Sequence, residues 1–152
     1  MTDPQSLAQA VRDALWAQDR VGKALGMQVL AVGPGTATLG MQVRADMLNG
    51  LNLCHGGMVV TLADSAFGFA SNSHNTLTVT SGMDINLVAA AALGDMLTAT
   101  AREVSKSGRT GLYNVSVTNQ RGETVAWLRG RSYSMKGRAV VDGLPMGGAD
   151  AA

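Results

Sequence analysis

Residues that could carry out chemistry are concentrated between positions 49 and 64 of this chain. A polar loop that ends in two adjacent glycines, Gly56 and Gly57, runs directly into a strongly apolar segment with one acidic residue, Asp64. Backbone N–H groups at the start of a helix are free to bind negative charge, and a carboxylate among apolar residues can act as a base or a nucleophile. This combination indicates acyl chemistry.

The same residues disfavour three other kinds of active site. Cys54 and His55 are adjacent, so they do not readily present a thiol to its base, and no third group to orient them is evident. The sequence has no H-E-x-x-H or C-x-x-C spacing, so His55, Asp64 and His74 are not expected to bind a metal. It also lacks the G-x-S-x-G motif that an α/β-hydrolase needs.

Hydrophobic periodicity predicts two helices. Residues from about 5 to 18 have apolar side chains at helical spacing behind a possible cap at Thr2 or Asp3, which predicts an amphipathic N-terminal helix. Residues from about 57 to 72 are apolar around nearly the whole circumference of a helix, which is typical of a buried one. Asp64 therefore lies in this central helix, about two turns from its start.

The other periodic segments have the character of β-strands. A hairpin is predicted around Gly33-Pro34-Gly35, and four strands after the central helix are predicted to form a meander. An antiparallel sheet of about five or six strands, wrapped around the buried helix, would give an α+β domain over residues 1–135. Residues 136–152, which are rich in Gly and Ala without periodicity, are expected to be a flexible tail. The expected strands cover residues 25–32, 36–43, 77–88, 96–104, 110–119 and 124–135.

Composition and charge limit the possible partners. The chain has 152 residues, of which 46% are hydrophobic, which is enough to bury the core of one domain. A formal net charge of +1 and the lack of a dense Lys/Arg run argue against binding to nucleic acid or to an anionic membrane. No stretch reaches the roughly 18 apolar residues of a membrane span. One cysteine and an N-terminus without a signal-peptide profile lead us to expect a cytoplasmic protein.

The sequence around the motif resembles a known family. The blocks Asn49-Gly50, Cys54-His55-Gly56-Gly57 and Leu62-Ala63-Asp64-Ser65-Ala66-Phe67, with a further block at residues 94–101, are similar to the hotdog-fold acyl-CoA thioesterases of the phenylacetate-degradation (PaaI) type. The similarity extends from about residue 24 to residue 131. The resemblance implies a hotdog fold and the hydrolysis of an acyl-CoA.

The resemblance also implies a role for each polar residue of the motif. The thioester carbonyl would lie at the start of the central helix, beside Gly56, where the backbone N–H of Gly57 polarises it. Asp64 would act either as the general base for water or as a nucleophile that forms a mixed anhydride. Asn49 would position the thioester or the attacking water, and His55 would orient the loop and the acyl group.

CoA carries a diphosphate and a 3′-phosphate, so its binding requires cationic or N–H donors outside the catalytic pocket. Ser81 and Gly82 are further substrate-binding candidates, although related proteins often have a hydroxyl residue where Gly82 falls. Thr80 or Ser81 is expected to take the place of that hydroxyl. The basic candidates, taken as a group, are Lys106, Arg109, Arg129 and Arg131.

Helix geometry constrains how the site is assembled. Gly57 and Asp64 are seven residues apart, so at about 1.5 Å rise per residue they share a helix face but lie roughly 10 Å apart. One carbonyl carbon cannot contact both groups, so the oxyanion donor and the carboxylate must come from different copies of the helix. A homodimer is therefore expected, assembled into a dimer of dimers, with the site at the dimer interface as the resemblance also implies.

The expected substrate is phenylacetyl-CoA or a ring-hydroxylated derivative, while medium-chain and other aromatic acyl-CoAs remain open. The expected reaction uses no metal and no cofactor, since CoA is part of the substrate. Two other functions are consistent with the resemblance. A hotdog (de)hydratase would need a His/acid pair arranged to remove a proton from carbon, and a non-catalytic acyl-CoA-binding protein would keep the pocket without needing Asp64.

Overall fold

The computed structural model describes residues 2–147, which form three α-helices, one short 3-10 turn and a six-stranded sheet. The sequence predicted every element except the second helix and the 3-10 turn, which are too short to give a periodic signal. The helices are α1 (Pro4–Gln18), α2 (Arg20–Ala24) and α3 (Gly56–Asn72), and the 3-10 turn covers Ala45–Met47. The strands are β1 (Gln28–Gly33), β2 (Thr36–Gln42), β3 (Thr76–Leu87), β4 (Met96–Ser107), β5 (Thr110–Thr118) and β6 (Thr124–Ala139).

The sheet has the strand order β1-β2-β4-β5-β6-β3, and all neighbouring strands are antiparallel. The predicted hairpin of β1 and β2 is confirmed. The predicted four-stranded meander is wrong at its first strand, because β3 pairs with β6 at the edge of the sheet and not with β4. Short turns connect β4 to β5 and β5 to β6, whereas residues 88–95 form a longer connection that carries the chain across the sheet.

Helix α3 packs against the sheet across its whole width, as the sequence predicted. The apolar pattern predicted burial on every side of this helix, but the face with Asp64, Ser65 and Gly68 is only half-buried. On this side α1 provides part of the cover, through a contact between the rings of Trp16 and Phe69 at a centroid distance of 6.5 Å. The side chains that α3 buries in the core are those of Val59, Leu62, Ala63, Ala66, Phe67, Phe69 and Ala70.

The position of α3 is set by a close approach between Phe67 and Gly130 of β6. A Cβ atom at Gly130 would lie 2.3 Å from Phe67 Cε2, which is far inside van der Waals contact. Only glycine therefore allows the ring to reach the strand. The ring also packs against Tyr113 of β5, the cross-strand partner of Gly130, with centroids 5.3 Å apart. Arg129 and Arg131 flank Gly130 and point to the opposite, exposed face of β6.

The last described residues, 140–147, are attached to the short segment that follows α3. Strand β6 continues past the expected domain boundary at residue 135 to Ala139. The segment beyond it is held by Asn75, which is fully buried, because its Nδ2 donates to Val141 O at 3.0 Å and its Oδ1 accepts from Val141 N at 2.8 Å. The segment 136–147 is thus part of the domain, and the rest of the expected tail, residues 148–152, lies outside the described residues.

Within residues 2–147, none of the helices has the length and apolar character needed to cross a membrane.

The buried carboxylate of Asp95 connects the loop of residues 88–95 to the turn between β5 and β6. Its Oδ2 accepts from the N–H of Ala92 and its Oδ1 accepts from Gln120 Nε2, both at 2.9 Å. These hydrogen bonds lower the pKa of Asp95 below its usual range. In the same loop Ala91 O accepts from the N–H of Cys54 at 2.8 Å, so Asp95 supports the segment that leads into α3.

Replacing Asp95 with Asn should lower the free energy of unfolding by about 1–3 kcal/mol at neutral pH, because the amide has one acceptor oxygen for two donors. Gln120 cannot turn its amide to compensate, since its Oε1 already accepts from Met96 N at 3.0 Å. A lowered folded-state pKa stabilises the protein above about pH 4, and this stabilisation is lost as the pH falls through the folded-state value. Urea unfolding should therefore separate wild type and variant more at neutral pH than at about pH 3.

Asp46→Asn is the matched control, because the side chain of Asp46 is 68% exposed and pairs with Arg44 at the surface. A surface pair of this kind contributes less than about 1 kcal/mol, so this variant should stay close to wild type at both pH values. Equal losses in the two variants, or a loss at Asp95 that does not depend on pH, would contradict the role given to Asp95.

Candidate active site

Asn49 closes the loop that precedes α3. Its Oδ1 accepts from the N–H groups of Leu51 at 2.9 Å and Leu53 at 3.2 Å, and its own N–H donates to Leu53 O at 2.8 Å. The side-chain oxygen is therefore occupied in holding the loop. The Nδ2 group has no hydrogen bond to any of residues 2–147, and it is the part of Asn49 that can contact another molecule.

His55 caps the N-terminus of α3. Its Nδ1 accepts from the backbone N–H of Gly57 at 2.9 Å, which requires an unprotonated Nδ1. The main chain of His55 is fixed as well, because its N–H donates to Met47 O at 2.8 Å. The N–H predicted as the oxyanion donor is thus already paired with an imidazole. A carbonyl oxygen and the His55 ring compete for the same donor.

Asp64 lies two turns into α3, on the half-buried face of the helix. Thr80 Oγ1 of β3 donates to its Oδ1 at 3.2 Å, so the carboxylate is oriented from the neighbouring strand. Of the two hydroxyl residues that the sequence offered as partners, the structure brings Thr80 to the carboxylate. Ser81 instead donates through Oγ to Arg131 O at 3.1 Å, within a bulge between Thr80 and Gly82.

A groove of about 410 Å³ runs between α1 and α3 past Asp64. Its size is within the range of small-molecule sites. Sequence reasoning missed this groove, because the packing of α1 beside α3 leaves no signal in either helix beyond amphipathicity. It is lined by Leu15, Gln18 and Asp19 from the N-terminal side and by Asp64, Ser65, Gly68, Phe69 and Asn72 from α3.

The predicted phosphate ligands lie away from Asp64 within one chain. Arg129 Nε donates to Asn114 Oδ1 at 2.9 Å, and both residues belong to the face of the sheet opposite to α3. Arg131 is on the same face and forms an ion pair with Asp84 at 2.8 Å. The sheet therefore separates these two guanidinium groups from the carboxylate of the same chain.

The other predicted ligands of the substrate are near this outer face. Arg109 Nη1 donates to Tyr133 Oη at 3.2 Å, and Lys106 is half-buried opposite Gly111. Gly82 lies under the Arg131 guanidinium, where a Cβ would be 2.7 Å from Nη2. A hydroxyl-bearing residue at position 82 would therefore have to displace that guanidinium.

The described residues give no support to a cysteine nucleophile or to a metal site. Burial raises the pKa of the Cys54 thiol, so it is a poor nucleophile. Its Sγ donates to His55 O at 3.7 Å, whereas His55 Nδ1 is paired with the N–H of Gly57. Across residues 2–147, no group of three or more His, Cys, Asp and Glu side chains is arranged to hold a metal ion.

Comparison with known proteins agrees with this geometry. The thioesterase superfamily matches residues 51–126. The chain is 40% identical to the acyl-coenzyme A thioesterase PaaI of Escherichia coli over 124 residues, which cover 82% of this chain and 89% of that protein. It superposes on the structure of the E. coli PaaI protein from the phenylacetic acid degradation operon with a TM-score of 0.87 and 37% identity, over 90% of this chain and 99% of that one.

A second similar structure, from Streptococcus mutans, is described as bound to acetyl CoA. It has a TM-score of 0.71 and 28% identity, over 74% of this chain and 90% of that one. The sequence identity to PaaI and the superposition on its structure therefore both extend over most of the chain. The protein belongs to the thioesterase superfamily, in its PaaI-type branch, and is a thioester hydrolase with the hotdog fold.

Proposed function

We propose that this enzyme hydrolyses an aryl-acetyl-CoA, either phenylacetyl-CoA or a ring-hydroxylated derivative. The observation that carries the proposal is the Asp64 carboxylate, which Thr80 holds at 3.2 Å where it lines the groove between α1 and α3. The E. coli relative is named an acyl-coenzyme A thioesterase, and its structure is described as a protein from the phenylacetic acid degradation operon. Both descriptions support phenylacetyl as the acyl group. The S. mutans structure with acetyl CoA supports the CoA part.

In the proposed reaction Asp64 works by one of two routes. As a general base, it removes a proton from water while the water oxygen attacks the thioester carbonyl carbon; the C–S bond then breaks, and CoA takes up a proton to leave as the thiol. As a nucleophile, it attacks that carbon itself, the C–S bond breaks, and water hydrolyses the resulting mixed anhydride. Thr80 serves either route by fixing one carboxylate oxygen through its hydroxyl.

The carbonyl oxygen of the substrate is proposed to bind the N–H of Gly57. Because His55 Nδ1 accepts from this N–H at 2.9 Å, the imidazole must turn aside when the substrate binds. The displaced ring would then lie next to the acyl group, in agreement with an orienting role for His55. An N–H at a helix start stabilises the negative charge that develops on oxygen in the transition state.

The site is proposed to contain residues of two subunits. Gly57 and Asp64 are on one helix, separated by seven residues and about 10 Å, so one chain cannot present both to the same carbonyl. Strand β3, which carries Thr80, lies at the edge of the sheet and pairs only with β6 within the described chain. Its free edge and the exposed side chains of Val79 and Leu87 suit pairing with a second copy. We further propose that two such dimers associate.

Asp64→Asn should lower kcat by at least about a hundredfold with little change in KM, because the carboxylate acts mainly in the transition state. The measurement is steady-state release of free thiol from phenylacetyl-CoA. Asp46→Asn serves as the control, since it makes the same chemical change at a surface carboxylate, and it should keep wild-type kinetics. Wild-type turnover in the purified Asp64 variant would remove this residue from the mechanism.

Mixing two inactive variants tests the shared site. Gly57→Pro removes the N–H within the first turn of α3, where proline is tolerated, and Gly57→Ala is the matched control that keeps the N–H. After subunit exchange between Gly57→Pro and Asp64→Asn, the mixture should recover up to about a quarter of wild-type activity, because about half of the dimers are mixed and each mixed dimer holds one intact site of two under two-fold symmetry. Mixed dimers that form without any recovery would show that both groups act within one chain.

Charge-removing variants at Arg109, Arg129 or Arg131 should raise KM for acyl-CoA while sparing kcat, because phosphate contacts bind ground state and transition state alike. The effect should be smaller with an acyl-pantetheine, which has no nucleotide. Arg12→Gln is the control, since Arg12 pairs with Asp13 on α1. Equal losses with both substrates would assign these arginines to the fold, consistent with their contacts to Asn114 and Asp84.

A further inference from the structure

Gly68 occupies a position in α3 where the fold itself does not require glycine. It lies in the interior of a 17-residue helix, where glycine costs about 1 kcal/mol relative to alanine. Its φ is not among the positive values that would favour glycine. A Cβ built at Gly68 meets no atom within 4 Å beyond the helix backbone, so close packing does not explain it either.

A side chain at position 68 would occupy part of the groove between α1 and α3, which explains the glycine. Gly68 is one helical turn after Asp64 and lines the same groove. The four residues from Asp64 to Gly68 rise about 6 Å along the helix axis, which is comparable to the length of a benzene ring. An acyl group whose carbonyl carbon lies at Asp64 and which enters the groove must therefore pass over Gly68.

The rest of the groove gives this space its shape. Leu15 of α1 forms the opposite wall, and Phe69 is held in place by the ring of Trp16. These side chains are partly or fully buried and are packed against the core, so they do not readily make room for one another. A larger side chain at position 68 would therefore narrow the groove beside Asp64.

We infer that Gly68 determines which acyl groups this enzyme accepts, because it leaves the space that a ring-bearing or branched acyl group needs next to Asp64. The inference rests on the proposed function, since it requires the thioester carbonyl to lie at Asp64. It goes beyond that function by assigning substrate selection to one position and by assigning the acyl group to the groove between α1 and α3.

The first test compares two acyl groups in three variants. Gly68→Leu should lower kcat/KM for phenylacetyl-CoA by at least about tenfold and leave kcat/KM for acetyl-CoA within about twofold of wild type, because one or two methylenes in an apolar pocket discriminate by 10-fold or more. Gly68→Ala should change neither substrate by more than about threefold. Ala17→Leu adds the same bulk at an exposed position of α1 that does not line the groove, and should be neutral.

A second experiment adds the bulk after folding, in case Gly68→Leu is not obtained as folded protein. Gly68→Cys is treated with methanethiosulfonates that carry methyl, butyl or benzyl groups, and hydrolysis is followed by the loss of thioester absorbance. Activity on phenylacetyl-CoA should fall as the group grows, while activity on acetyl-CoA is retained. Wild type treated in the same way is the control, because its Cys54 is buried.

The results distinguish this inference from the proposed function. Unchanged phenylacetyl-CoA hydrolysis in Gly68→Leu and in the benzyl-labelled variant would overturn the inference, since the acyl group would then lie elsewhere. Equal losses on both substrates would also overturn it, since Gly68 would then support Asp64 and not the acyl group. Full activity in Asp64→Asn would instead overturn the proposed function.

Discussion

The contact between Phe67 and Gly130 determines where helix α3 lies in the sheet. Because a Cβ at position 130 would overlap the ring, Phe67 can occupy this place only against a glycine, and the contact constrains the rotation of α3 against β6. That rotation leaves Asp64, Ser65 and Gly68 on the side that the sheet does not cover. A close-packed interior transmits such constraints because it has few alternative arrangements. A contact in the core therefore decides which side chains of α3 can meet a substrate.

The N–H of Gly57, which we propose as the oxyanion donor, has a side-chain partner at the start of α3. A buried or half-buried N–H without a partner costs free energy, and the imidazole of His55 removes that cost in the free enzyme. The partner is a side chain and not the main chain, so in the mechanism proposed above a substrate oxygen would replace it by rotation of the ring about one or two bonds. Asn49 fixes the loop from the other side, so this replacement would not require the loop to open.

The sequence was sufficient where local chemistry decides the structure. The cap at Asp3, the start of α3 after His55 and the turn at Gly33-Pro34-Gly35 follow from residue type and spacing, and the all-apolar α3 indicated a helix inside a sheet. Contacts between segments that are far apart in the sequence could not be predicted from residue type and spacing. The pairing of β3 with β6, the groove between α1 and α3, and the attachment of residues 141–145 to Asn75 depend on tertiary packing, which leaves no periodic signal in any one segment.

The position of β3 has a consequence for the way the chain is made. Its partner within the chain, β6, is synthesised after the other five strands, and Asn75 just before β3 bonds to Val141, which comes 66 positions later. Until then β3 has no neighbour and the apolar side of α3 next to it is uncovered, while β1, β2, β4 and β5 already form adjacent pairs. Long-range pairings of this kind fold slowly and expose strand edges meanwhile. The strand whose edge we propose as the contact with a second subunit is thus also a strand that stays unpaired in the nascent chain until β6 has been made.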